Sequence, residues 1–499
     1  MRTLGAYGRE AVVPIHRLPD SPSAEWLRKQ GRTLLRQVHA QRPEALAMVA
    51  EFHPRLAPPA EGFKLADAQL VTARRYGFAS WPKLVAHLDT LARYTRSPHA
   101  VPSSADPSDE FLRLACLTYG DDYPGRTAEA DAMLADLPDL ATANVFTMAA
   151  TATTDALRDA LAADPGLASA QGGPFGWPPL LYLTYARLTT PSRYGAAARL
   201  LLDHGADPNA GFLWAGLPSP FTALTGAFGG GEGDQPPHPH GPELARLLLA
   251  AGADPNDAQT LYNRGLGGSW SDDTAHLELL LEYGLGRGDG GPWHARLGPA
   301  LQSPAQLLRD ELATAALRGG SRRVRLLLDH GAAVDGLGGH PAFGGRRPYE
   351  LALLHGHVEV AELLAAAGAT AELDEMEAFT AACMRGDAAT AAGFGAETAA
   401  RALAGSPGLI NQAAEHGRVA AVRVLAGLGF DVNHLDCGST PLHAAAWNDD
   451  VDTVAALLSL GADPGIADGA HGSTPLGWAE YGGKRRVAAY LRTAYPGLV

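Results

Sequence analysis

The stretch CGSTPLHAAAWNDD, residues 437–450, decides how the rest of the chain is read. It gathers a cysteine (Cys437), a serine (Ser439), a histidine (His443) and two aspartates (Asp449 and Asp450), the residue types of a nucleophilic catalytic site. A nucleophilic serine needs a strained elbow of the G-x-S-x-G kind, and none surrounds Ser439. The same letters also describe a short helix. Pro441 suits a first helical turn, where its missing N–H costs nothing, and the small alanines at 444–446 allow close packing. Segments of similar make-up recur as STPLGWAEYGG (473–483), RRPYELALLHGH (346–357), PSPFTALTGAF (218–228) and WPPLLYLTYAR (177–187). Recurrence favours a building unit over a triad.

A second phrase recurs as AARLLLDHGADPNA (197–210), LARLLLAAGADPND (244–257), RRVRLLLDHGAAVDG (322–336), VEVAELLAAAGATAE (358–372), AAVRVLAGLGFDVNH (420–434) and DTVAALLSLGADPGI (452–466). Each reads as a helix with one leucine stripe at i, i+3, i+4 spacing. Each stops at a glycine suited to a left-handed helix end, and a turn follows. Gly429 and Gly461 lie about 32 positions apart, near the period of roughly 33 known for one class of helical repeat.

On these residues the chain resembles the ankyrin repeat family. Thr440-Pro441-Leu442-His443-Ala444-Ala445 matches its T-P-L-H-x-A signature throughout. The resemblance covers about residues 108–499, strongly at 176–260 and 320–499, and implies an all-α fold. The expected architecture is an ankyrin-repeat solenoid of stacked helix-turn-helix units with finger turns, preceded by a small helical N-terminal domain. It also implies that Thr440 and His443 hydrogen-bond locally and carry no chemistry. Expected boundaries are a helical N-terminal domain at 1–94, a linker at 95–107, and a solenoid of about ten to eleven units at 108–499, with 470–499 as its polar C-terminal cap. In the N-terminal part, helices are expected to break at Pro43, Pro58-Pro59 and Gly77, with Phe78 and Trp81 as packing anchors.

Composition narrows the function. The 499 residues carry a net charge of −14, which disfavours nucleic acid and anionic membrane as partners. No apolar run reaches the length of a membrane span, and residues 1–20 lack the apolar core of a secretory signal. Three distant cysteines without a CxxC pair argue against disulfides and a cysteine metal site and favour a reducing cytoplasm. Four of the 40 basic residues are lysine, a usage like that of GC-rich bacterial genomes.

Other chemistry-bearing residues have plain structural readings. His204, His330 and His416 each precede a helix-ending glycine, and His355 and His357 flank Gly356. His238 and His240 in PPHPHGP (236–242), with Asp234 nearby, offer two imidazoles and a carboxylate for a divalent metal, but an extended loop reads as too mobile to preorganise a site. The pairs Asp121-Asp122 and Asp272-Asp273, the latter near His276 and Glu278, read as caps. GAFGGGEGD (226–234) follows a helix, so it is not a phosphate loop. No metal, cofactor or catalytic residue is expected.

Insertions are more telling. AGFLWAGLPSPF (210–221), DAQTLYNRGLGGSW (257–270), GDGGPWHARLGPALQ (288–302) and GLGGHPAFGGRRPYE (336–350) interrupt the pattern between units. They carry Phe212, Trp214, Tyr262, Trp270, Trp293, His294, Phe343, Arg346 and Arg347, residue types favoured at binding surfaces. The alternative is that these rings cover loop glycines. The expected function is a non-catalytic scaffold binding a partner protein or peptide through its concave face and finger loops. The runner-up is a small-molecule pocket, with or without catalysis, among the loops at 210–350.

Overall fold

The computed structural model describes residues 18, 23–54, 62–120, 122–123, 125–189, 193–268 and 270–495. Pro58-Pro59 and Asp121 lie outside the described residues. The chain divides into two compact bodies, Met1–Leu308 and Arg309–Val499, with the division inside helix Pro304–Arg318. Both bodies are built mainly of short helices, and none of the described helices is long and apolar enough to cross a membrane.

The first body opens with helices Ala24–His39, Pro43–Phe52, Leu65–Arg75 and Trp81–Tyr94. Their apolar faces meet in two small cores, one around Leu34, Val49 and Val71, the other around Leu27, Leu84 and Leu88 with Phe78 and Trp81 against it. Helix pairs follow, among them Pro179–Tyr185 with Tyr194–Asp203 and Ala223–Phe228 with Gly241–Ala250. This body also holds a three-stranded sheet. Strand β1 (Thr95–Arg96) runs parallel to β2 (Gly211–Trp214), which pairs antiparallel with β3 (Pro220–Thr222).

In the second body the pairs are regular: Pro348–Leu354 with Val358–Ala366, Leu409–Glu415 with Val419–Gly427, Pro441–Trp447 with Val451–Ser459, and Pro475–Tyr481 with Arg485–Ala494. The irregular stretch is 375–405, where Ala388–Gly393 and Gly395–Gly405 follow Glu375–Met384. A continuous core from Phe379 to Leu491 joins the last three of these pairs, because a single pair buries its leucine stripe only against its neighbours. Gly429 and Gly461 end their helices at φ 96° and 95°, a backbone region that disfavours a Cβ.

The opening stretch is a structural brick in detail. The fully buried His443 ring bonds through Nδ1 to the Thr440 N–H and hydroxyl (3.2 and 2.8 Å) and through Nε2 to the Ser473 carbonyl of the next repeat (3.0 Å). That carbonyl can only accept, so Nε2 holds the proton and the Thr440 hydroxyl donates to Nδ1. Ser439 Oγ donates to the Asp436 carbonyl instead. Asp450 caps its own following helix, and Asp449 accepts the Val487 N–H of the neighbouring pair at 2.8 Å.

The Asp-Pro-Asn turns do related work. Asn209 donates to the Gly252 carbonyl and accepts the Asp254 N–H; Asn256 repeats this with Arg287 and Gly286, and Asn433 with Gly461 and Asp463. One side-chain amide thus satisfies two backbone groups of the next repeat. Replacing His443 by alanine strands the Thr440 N–H and the Ser473 carbonyl in a buried place. His443→Ala is expected to cost about 2–4 kcal/mol in urea unfolding, whereas Ser439→Ala changes stability by less than about 0.5 kcal/mol; equal effects would contradict the assignment.

Candidate binding surface

The inserted loops were expected to present their aromatic residues outward. The structure buries four of them. Phe212 lies stacked on Trp177 (4.8 Å between centroids) and against Phe221. Trp214 donates its indole N–H to the Thr118 carbonyl at 2.8 Å and is stacked by His99 at 4.3 Å. Trp293 donates to the Asn209 carbonyl at 2.9 Å, meets Tyr94 edge-on at 4.9 Å, and has the Arg296 guanidinium over its face. Phe343, in the second body, occupies the space beside Gly338 where a Cβ would stand. Trp293 does the same at Gly211, and Tyr262 at Gly267. The glycine-covering alternative is therefore the arrangement found for these rings.

For Trp214 and Trp293 the cover is the segment at 91–100. Leu91 and Tyr94 pack on Leu213, Trp293 and Leu297, Thr95–Arg96 pair with β2, and His99 covers Trp214. Part of the finger surface in the first body already holds a length of this same chain.

The other candidates are half-buried: Tyr262, Trp270 and His294 in the first body, and Arg346 and Arg347 in the second. The Tyr262 hydroxyl donates to Glu232 at 3.0 Å, and burial with that carboxylate pushes its pKa to about 12. Arg346 pairs with Glu377, and Arg347 with Thr370 (2.8 Å) and Glu372 (3.5 Å).

A narrow cleft lies between the loops of the first body, lined by Asn209, Asp254, Asn256, Asp257, Trp293 and His294 among others. Its free volume is about 30 Å³, enough for a couple of waters and far below the several hundred Å³ of a ligand pocket. Asp257 is buried there, and burial raises its pKa. Its carboxylate caps helix Ala258–Arg264 through the Thr260 N–H at 2.8 Å and accepts the Thr222 hydroxyl, so it is committed to structure.

The two loop histidines are held by local contacts. His238 is buried edge-on to Tyr194, and its Nδ1 accepts the His240 N–H at 3.0 Å. Among the described residues no group of three or more His, Cys, Asp or Glu is placed to hold a metal ion. Asp122 accepts the Thr118 and Tyr119 N–H groups and pairs with Arg126; Asp273 accepts the Ala275 N–H at a helix start. The glycine-rich loop after Phe228 is anchored by a residue that sequence reasoning missed. Arg187, buried, donates to the Gly226 and Pro236 carbonyls at 2.6 and 2.8 Å. A lone arginine after a helix carries no sequence signal for that role.

The turn histidines differ from one another. His204 and His330 each place Nδ1 2.8 Å from the carbonyl four residues back, closing a helix end. His355, His357 and His416 come together instead, with centroids 5.1–6.2 Å apart. Burial first, and then neighbouring positive charge, lowers their pKa values to about 4, 3 and 4.

Two outcomes follow. Trp293→Ala is expected to lose about 3–5 kcal/mol and to open residues 95–100 to limited proteolysis; an unchanged cleavage pattern counts against the packing described. For the three histidines, a folded-state pKa below the unfolded value near 6.5 means the folded form keeps the neutral ring. Their stabilisation is complete above about pH 6.5 and is lost as pH falls towards 3–4. His340 and His443 of the same body, lowered by burial, add to this dependence. The urea midpoint is expected to be level between pH 8.5 and 7.5 and to drop by pH 5, with a shallower drop in His416→Gln.

Residues 410–458 match the family model for ankyrin repeats (many copies). That stretch contains Thr440 and His443 and nearly all of two helix pairs, Leu409–Glu415 with Val419–Gly427 and Pro441–Trp447 with Val451–Ser459. No curated protein matches the chain. Ankyrin repeats are in general protein–protein interaction modules. The T-P-L-H brick, the glycine-ended helix pairs and the family match agree, and residues 410–458 are ankyrin repeats within an all-α chain of helix pairs.

Proposed function

We propose that the protein is a non-catalytic scaffold, working in the cytoplasm, that binds a partner protein or peptide through its first helices and finger turns. The observation that carries this reading is the placement of large aromatics in the open. Trp447 and Tyr481 are the last residues of two successive first helices and are 43% and 90% exposed. Trp478 packs edge-on to Trp447, and Lys484 lies over the Trp447 ring. Large exposed rings at equivalent places of a rigid stack are what a binding face uses. Half-buried Tyr262, Trp270, His294, Arg346 and Arg347 on the inserted turns extend the candidate contacts in their own bodies. The small-molecule reading has buried Asp257 in its favour, but the cleft beside it lacks the volume for such a ligand.

Affinity purification from the native host, followed by mass spectrometry, identifies the partner. With that partner in hand, alanine at Trp447, Tyr481, Trp270 or Arg346 is expected to weaken capture by about thirtyfold for an anchor residue, with folding unchanged. Equal capture by all four variants would falsify the surface, and thermal stabilisation by a metabolite in place of a protein would favour the pocket.

A further inference from the structure

Residues 481–499 hold four basic side chains and no acidic one, in a chain whose net charge is −14. Three of the four, Lys484, Arg485 and Arg486, are consecutive and stand where helix Pro475–Tyr481 turns into helix Arg485–Ala494. The fourth, Arg492, pairs with Glu480 at 2.8 Å. Arg485 and Arg486 are exposed and Lys484 is half-buried, and among the described residues no carboxylate pairs with any of the three. Helix stability does not call for this order. The first turn of Arg485–Ala494 carries no acid, and cations placed there face the positive end of the helix dipole.

The same turn brings these cations to the exposed rings. Lys484 Nζ lies 5.3 Å over the Trp447 ring, Trp478 meets that ring edge-on at 5.9 Å, and a Cβ at Gly482 would stand 3.1 Å from it. Asp449, two residues beyond Trp447, accepts the Val487 N–H at 2.8 Å and ties the start of the basic helix to the end of helix Pro441–Trp447. Tyr481, almost wholly exposed, immediately precedes the turn. The neighbouring acids are committed: Asp449 to that N–H, Asp450 to the cap of its own helix, and Glu480 to Arg492. Two exposed rings and three cations without a carboxylate partner therefore share one patch.

We propose that Trp447, Tyr481, Lys484, Arg485 and Arg486 form a docking site for a short acidic peptide segment that carries an apolar side chain among its carboxylates. This rests on the scaffold reading above and names the chemistry of the partner at that surface. The carboxylates pair with the three cations, two of which offer a guanidinium fork. The apolar side chain covers the exposed area of Tyr481 and Trp447. Size decides against other anions. A nucleic acid or an anionic bilayer extends past three cations and meets the negative charge of the rest of the chain, whereas a segment of a few residues stays within the patch.

The test uses the full chain and fluorescence anisotropy. The probes are a labelled peptide of glutamates around one central leucine, and the same peptide with glutamine at every glutamate. Expected is saturation by the glutamate peptide below about 1 mM, weakened by added salt. The glutamine peptide, and the double variant Arg485→Glu with Arg486→Glu, are expected to bind about tenfold or more weakly, and Tyr481→Ala about fivefold or more weakly. These three side chains are exposed, so the variants keep the urea midpoint of the unsubstituted protein. Equal binding of the two peptides, no saturation by about 1 mM, or tighter binding of single-stranded DNA or phosphatidylserine vesicles at the same salt overturns the acidic-peptide site. The scaffold reading fails separately, when capture of the purified partner is unchanged in Trp447→Ala and Tyr481→Ala.

Discussion

At several turns of this molecule one repeat leaves polar backbone groups that a side chain of its neighbour satisfies. Asn209, Asn256 and Asn433 each reach across to one carbonyl and one N–H of the following turn. His443 does the same from a helix start, bonding its own Thr440 and the Ser473 carbonyl beyond. A buried N–H or carbonyl without a partner costs about 1–3 kcal/mol, so these bonds fix the register in which apolar stripes meet. The hydrophobic contacts supply most of the cohesion but are non-directional. The amides and imidazoles decide which stacking is allowed.

Where the repeats are interrupted, the same requirement is met by other means. Beside the inserted loops at 210–221 and 288–302, the chain's own segment at 91–100 fills in. It adds a strand to β2 and lays Tyr94 and His99 against Trp293 and Trp214. Arg187 holds the glycine-rich loop by its carbonyls, a buried guanidinium compensated by backbone dipoles with no acid among its hydrogen-bond partners. Polar groups within a packed body must find partners, and long-range ones serve when local ones are missing.

Much of the fold was legible because it is local and repeated. Thr440, Pro441 and His443 announce a helix start, and Gly429 and Gly461 a helix end, through conformational preferences that act within a few residues. The candidate site was legible only in outline. Trp214, Trp293, Phe212 and Phe343 stand in loops and look available, yet side-chain burial depends on what arrives from elsewhere in the chain. His99, at sequence separation beyond a hundred residues from Trp214, gives no local sign of its destination. The same holds for the histidines: His355 and His416 read as turn residues, and their contact across 61 positions has no local sign in the sequence.

The sequence by itself determined the kind of repeat, the helix ends and the bricks that carry no chemistry, because these follow from backbone preference and side-chain periodicity over short range. Only the tertiary structure decided which aromatics are exposed, which loops are covered by residues 91–100, and that three imidazoles share one place. Exposure and clustering are properties of contacts between distant segments, and a pattern with a period of one repeat does not contain them.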